Sequence, residues 1–150
     1  MTGRIVSDCN KEPVDLMSGL QKYPFVSLPQ AQVILRVAVA IFFMAHAAVR
    51  IVNGSIPQFA GFLATKGIPF SLGVVWLITL YELAAGTMMA FGCLARWLTI
   101  GFIFIAAGGI VLIHAKLGWF VGEHGVGGME YSLCLIVALL AIAAADKPRE

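Results

Sequence analysis

Five ionisable side chains in or at the ends of strongly apolar runs carry the chemistry this sequence offers: His46, Arg50, Glu82, His114 and Glu130. Carboxyl and imidazole groups beside a bound molecule give and take protons, and a guanidinium pairs with a carboxylate or polarises a carbonyl oxygen. His46 and Arg50 are four residues apart and share one face of a helix. Glu82 is the most informative of the set. A carboxyl in an apolar run either keeps its proton or pairs with a cation, and the candidate cations are Arg50 and a protonated His46. Two readings of it stand: a buried ion pair that fixes helix packing, and a proton-handling or ligand-binding site. A metal centre drawn from His114, Glu123, His124 and Glu130 matches no ligand motif, and no metal is expected. The cysteines Cys9, Cys93 and Cys134 are isolated and read as packing residues.

The elements that must position these groups follow from composition. Of 150 residues, 60% are apolar and only 12% charged, with a mean hydropathy of +0.92. Soluble chains carry about 25% charge, so this composition excludes a water-soluble domain and points to an integral membrane protein. A net charge of +2, with no basic stripe and no phosphate loop, gives no reason to expect nucleic acid as a partner. Four apolar runs, 33–52, 72–92, 97–115 and 129–145, approach the roughly 20 helical residues that a bilayer crossing needs. They lack the alternation of barrel strands. The fold class predicted is an all-α, four-transmembrane-helix bundle with membrane lipid around it.

Residues 1–32 read as a retained cytoplasmic polar tail without a signal-peptide core, 33–145 as the membrane domain and 146–150 as a cytoplasmic C-terminal tail. Arg4, Lys11, Lys22, Arg36, Arg96, Lys147 and Arg149 fall on one side of the spans, and Arg50, Lys66 and Lys116 on the other. Basic residues favour the cytoplasm, which places both termini there and suggests a bacterial inner membrane. Between the first two spans, Ile56, Phe59, Phe62 and Leu63 recur at helical spacing after Ser55 and Pro57, and Gly67 and Pro69 end the pattern. This predicts a short amphipathic helix over 56–66 lying in the membrane interface. The loop 117–128 is glycine-rich, with Trp119 and Phe120 suited to an interfacial belt. At 1.5 Å per residue, His46 lies about 9 Å inside the outer boundary and Glu82 about 15 Å deep. The outer half of the bundle thus collects His46, Arg50, Glu82, His114 and Glu130, and Arg36 is left alone near the inner face. Small residues at Gly86, Ala90, Gly101, Gly108 and Gly109 allow close helix contact, within the bundle or in a homo-oligomer.

Taken in order, LRVAVAIFFMAHAAVRI, FAGFLATKGIP, WLITLYELAAGTMMAFGCLARW, LIHAKLGWF and GGMEY resemble the DoxX family of small four-helix bacterial membrane proteins. The resemblance runs from about residue 35 to 145. It marks His46, Glu82, Arg96, His114 and Glu130 as the family's polar pattern. It also implies quinone chemistry: one relative is the membrane subunit of an archaeal thiosulfate:quinone oxidoreductase, and others are associated with quinone or catechol stress and thiol-redox complexes. The tail 1–32 is longer than the family core requires.

On that basis the leading expectation is a quinone-binding or quinone-linked redox subunit. His46 and Glu82 handle protons, while Arg50, His114, Glu130 and Arg96 contribute to binding. The chain has no haem, flavin or iron–sulfur motif, so it carries no intrinsic cofactor beyond a bound quinone, and a separate redox-protein partner supplies electrons. Two other classes use the same residues: a membrane anchor or assembly factor in which the charges only hold the bundle, and a transporter or binder of a small amphipathic molecule.

Overall fold

The computed structural model describes residues 25–116, 118–120 and 128–146, so most of the tail, Glu123, His124 and 147–150 lie outside the described residues. Contacts divide the chain into two units, Met1–Ala31 and Gln32–Glu150. The described part of the first is a helix start. The Ser27 N–H donates to Gln30 Oε1 at 2.8 Å and the Gln30 N–H to Ser27 Oγ at 3.5 Å. This Ser-x-x-Gln capping box, with Pro29 in the first turn, satisfies donors that a helix start leaves over. Helix α1 therefore spans Leu28–Val52 and begins inside the segment 1–32 read as tail.

Four more helices follow: α2 Ile56–Thr65, α3 Ser71–Ala90, α4 Ala95–Leu112 and α5 Met129–Ala145, with a 3₁₀ turn at His114–Lys116. No strand occurs among the described residues. The helical spacing in 56–66 is realised in α2, whose Ile56, Ala60 and Leu63 are buried with Val75 of α3. Ser55 occupies the N-cap position, but its hydroxyl donates to the Arg50 carbonyl at 3.4 Å and caps nothing.

Helix ends depart from the apolar runs wherever the backbone turns before the hydropathy falls. At Gly92, with φ +80°, the Gly92 N–H donates to Met89 O at 3.0 Å and the Cys93 N–H to Met88 O at 2.9 Å. This Schellman pair requires a left-handed residue, which glycine adopts without a Cβ clash, and α3 stops short of the run 72–92. Gly67, φ +81°, ends α2 in the same way through bonds to Ala64 O and from Ile68 N–H to Leu63 O. α4 ends at Leu112, so His114 sits in the 3₁₀ turn and not in a helix. α5 coincides with the run 129–145.

Within residues 32–150 the long helices alternate in direction. At one end the Arg36 guanidinium lies against Gly92, and the Arg96 N–H at the start of α4 donates to Asp146 Oδ2, just past α5, at 2.9 Å. Phe102 of α4 is wholly buried, its ring 4.5 Å from that of Phe43 on α1 and 5.2 Å from that of Tyr81 on α3. Leu139 and Ile142 of α5 and Met89 complete this core. A Cβ at Gly86 would stand 2.6 Å from Met44 Cγ, and one at Gly101 would collide with the Tyr81 ring. Close helix contact at these two small residues is therefore real, whereas Gly108 and Gly109 border a cavity.

Beside this apolar core a few polar side chains are buried, and many large apolar side chains are exposed. Thr79, Glu82, Thr99 and Ser132 are buried, while Leu77, Leu80, Phe104, Val111, Val137 and Leu140 are exposed. Water penalises that arrangement and hydrocarbon favours it. Leu28–Val52, Ser71–Ala90 and Ala95–Lys116 are long and apolar enough to cross a membrane, and Met129–Ala145 is a shorter apolar helix. The chain is a helical membrane protein.

Candidate functional site

Arg50, in the last turn of α1, reaches the buried face of α3. Its Nη1 donates to Glu82 Oε2 at 2.9 Å and to Thr79 Oγ1 at 2.7 Å. The Thr79 hydroxyl donates its own hydrogen bond to the Val75 carbonyl at 2.7 Å, which leaves its oxygen lone pairs to accept from Arg50. The Glu82 side chain is 3% exposed. Removing a carboxylate from water without a counter-charge costs several kcal/mol, which the guanidinium at this distance offsets. Arg50 Cζ also lies 5.4 Å from the centre of the Phe59 ring, a cation–π contact that brings α2 to the same residue.

The ion pair borders a cavity of about 760 Å³ to which all five helices contribute. Its walls are largely apolar, with Phe43, Val74, Ile78, Leu112 and Leu135 among them. The polar lining is His46 and Arg50 from α1, Ser55 before α2, Gln58 from α2, Glu82 from α3, His114 from the 3₁₀ turn, and Tyr131 and Ser132 from α5. His46 lies one turn before Arg50 on the same face, as the four-residue spacing requires. A Cβ at Gly109 would sit 3.8 Å from His114 Cδ2, which places that imidazole beside the last turn of α4. A Cβ at Gly108 would meet nothing within 4 Å.

Of the six residues singled out by sequence, the cavity brings together His46, Arg50, Glu82 and His114. Glu130 is not part of its lining; the Glu130 N–H donates to Trp119 O at 3.2 Å, and its neighbours Tyr131 and Ser132 face the cavity instead. Arg96 sits at the opposite end of α4 from His114, its guanidinium 5.6 Å from the Trp97 ring centre. Sequence reasoning passed over Thr79, Gln58, Tyr131 and Ser132, because a search for charge ignores hydroxyl and amide groups. Thr79 was within reach of a face argument, since it stands one turn before Glu82.

Beyond α2, Lys66 rests 5.1 Å from the Phe62 ring centre, and the charge of nearby Lys116 lowers its pKa below the usual lysine value. Among the described residues no group of three or more His, Cys, Asp and Glu side chains is placed to hold a metal ion. A mostly apolar chamber with one ion pair, two imidazoles, a phenol and a hydroxyl suits a molecule with an apolar body and a polar, proton-exchanging head.

No curated protein and no solved structure matches the chain. Residues 31–115 match the DoxX family, a segment that holds the ion pair, both cavity histidines and the α2 wall. The match covers more than half of the chain, and the protein belongs to the DoxX family.

Proposed function

We propose that this protein binds a quinone-type amphipathic molecule in the cavity and serves as the quinone-linked membrane subunit of a redox system. The observation that carries this reading is the joint placement of the Arg50–Glu82 pair, His46 and His114 on the wall of an apolar cavity of about 760 Å³. A quinone bound there supplies a two-electron, two-proton couple. The apolar walls hold a ring and the first part of a prenyl chain. Arg50 presents the guanidinium donors not used by Glu82 and Thr79 to a ring oxygen. His46 and His114 exchange protons, and Glu82 holds Arg50 in place. Electrons come from a separate protein partner, since the sequence has no haem, flavin or iron–sulfur motif.

In this reading α1, α3, α4 and α5 all cross the bilayer and α2 lies at its outer interface. Both termini are cytoplasmic, and the membrane is a bacterial inner membrane. One observation favours a second reading, an anchor or assembly factor: the Glu82 charge is paired within the protein, which suffices to hold helices together.

Organic extraction of the detergent-purified protein, followed by mass spectrometry, separates the two. Wild type is expected to carry close to one quinone per chain. His46→Ala removes a polar contact and Gly108→Leu fills open space, and both are expected to lose the quinone while keeping their elution profile and Tm. Bulk phospholipid alone, equal in all three proteins, would sink the quinone reading and leave the ion pair as a structural tie.

A further inference from the structure

The cavity beside the Arg50–Glu82 pair is not closed on all sides. Phe43, Leu63 and Glu82 line it and are buried, so lining the cavity does not by itself expose a side chain. Val49 of α1, Phe104 of α4 and Tyr131 of α5 line the same space and are 57%, 74% and 42% exposed. His46, also part of the lining, is exposed as well. Side chains that face the cavity and the outside together mark the rim of an opening. On α1 the rim is a stripe, because Phe42, His46 and Val49 stand four and three residues apart on one helix face. Tyr131 of α5 closes the gap to that stripe, its ring 6.5 Å from the Phe42 ring and tilted by 59°. Phe42 is itself 45% exposed.

The level of the opening decides what passes through it. Counted back from Val52 at the end of α1, Val49, His46 and Phe42 lie about 5, 9 and 15 Å inside the helix at 1.5 Å per residue. This helix is apolar and long enough to cross a membrane, so the rim faces hydrocarbon and not water. A ligand from water would instead have to come past Gln58, which lines the cavity from α2 and is exposed. A contact between two half-exposed rings parts by rotation of the side chains. The Phe43–Phe102 contact and the Arg50–Glu82 pair lie deeper and stay in place.

We propose that the cavity takes its ligand sideways from the bilayer, through the gap between α1 and α5, and that the Phe42–Tyr131 ring pair is the contact that parts. The substrate class is then a polar ring on a long apolar chain, with the ring inside and the end of the chain left in lipid. This rests on the quinone reading and adds the route and the chain to it. His46, in the middle of the stripe, is the first polar side chain an entering ring meets, one turn before Arg50.

The test is uptake of phylloquinone by the full chain in phosphatidylcholine nanodiscs, read as tryptophan quenching above that of Gly108→Leu, whose cavity is filled. With Cys9, Cys93 and Cys134 changed to serine, Phe42→Cys and Tyr131→Cys are joined by a cleavable thiol crosslinker that ties α1 to α5. The reduced protein is expected to take up phylloquinone, the crosslinked one severalfold more slowly, and cleavage of the crosslinker to restore the rate. Val49→Phe, which narrows the gap from the lipid side, is expected to slow uptake too, and it decides the matter if the two cysteines alone abolish binding. Naphthoquinone sulfonate, a quinone ring that stays in water, is expected to give no quenching above the blank. Crosslinked or Val49→Phe protein that loads at the wild-type rate, or saturation by the sulfonate, would overturn sideways entry. Wild type that quenches no more than the blank would instead sink the quinone reading on which the route rests.

Discussion

Arg50 has neighbours on two other helices, Thr79 and Glu82 on α3 and the Phe59 ring on α2. Deleting one member of such a buried pair strands the other charge, at a cost of about 3–5 kcal/mol, whereas replacing both with apolar groups of similar volume is often neutral. Arg50→Met and Glu82→Leu are each expected to destabilise the protein by about that amount, and the double variant Arg50→Met/Glu82→Leu to recover most of it. Denaturant unfolding in detergent micelles reads the cycle, and quinone extraction from the double variant separates structure from chemistry. A folded double variant without quinone assigns the pair to the site; one that keeps its quinone removes the pair from it. The Arg50–Glu82 contact was legible in one sequence because so few cations lie at the depth of Glu82. Tyr131 and Ser132 were not legible: uncharged polar residues are ordinary in membrane helices, and only the packing of α5 shows which of them face inward.

For the elements, every long helix falls on an apolar run, α5 from end to end, while α1, α3 and α4 depart from their runs at one or both ends, since hydropathy and backbone conformation are separate signals. The Ser27-x-x-Gln30 box starts α1 before the hydropathy rises, and Gly92 stops α3 while Phe91 still continues the run. Both are local motifs that a reading for caps finds and a reading for spans does not. The capping glycines also allow a clean comparison. Gly67 and Gly92 have nearly the same φ, but a Cβ at Gly67 meets nothing within 4 Å while one at Gly92 meets the Arg36 guanidinium. Gly67→Ala is expected to cost about 1–2 kcal/mol, the strain of a left-handed alanine. Gly92→Ala is expected to cost more, by the work of unseating Arg36. Equal losses in thermal unfolding would show that Arg36 moves aside freely.

For the whole molecule, the exposed Leu77, Leu80, Phe104, Val137 and Leu140 on apolar helices fit contact with lipid. Its topology is open to direct measurement with a membrane-impermeant maleimide on a chain stripped of other cysteines. Cys93, exposed between α3 and α4, and a cysteine appended after Glu150 are expected to react only from the cytoplasmic side; Asn53→Cys, just past α1, is expected to react only from outside. Labelling of the appended cysteine from outside would mean that α5 does not cross. The buried pair bears finally on how the protein is made. Synthesis delivers Arg50 first, in the closing turn of α1, where a long side chain can stretch to the surface and wait at little cost. Glu82 arrives later in the middle of α3, where a lone carboxylate resists insertion by roughly 2.5–3.5 kcal/mol. A guanidinium already at hand offsets that penalty as α3 inserts, so Arg50→Met is expected to lower the membrane insertion of α3, read by glycosylation-site mapping of the nascent chain, and equal insertion would show that Glu82 enters without its partner.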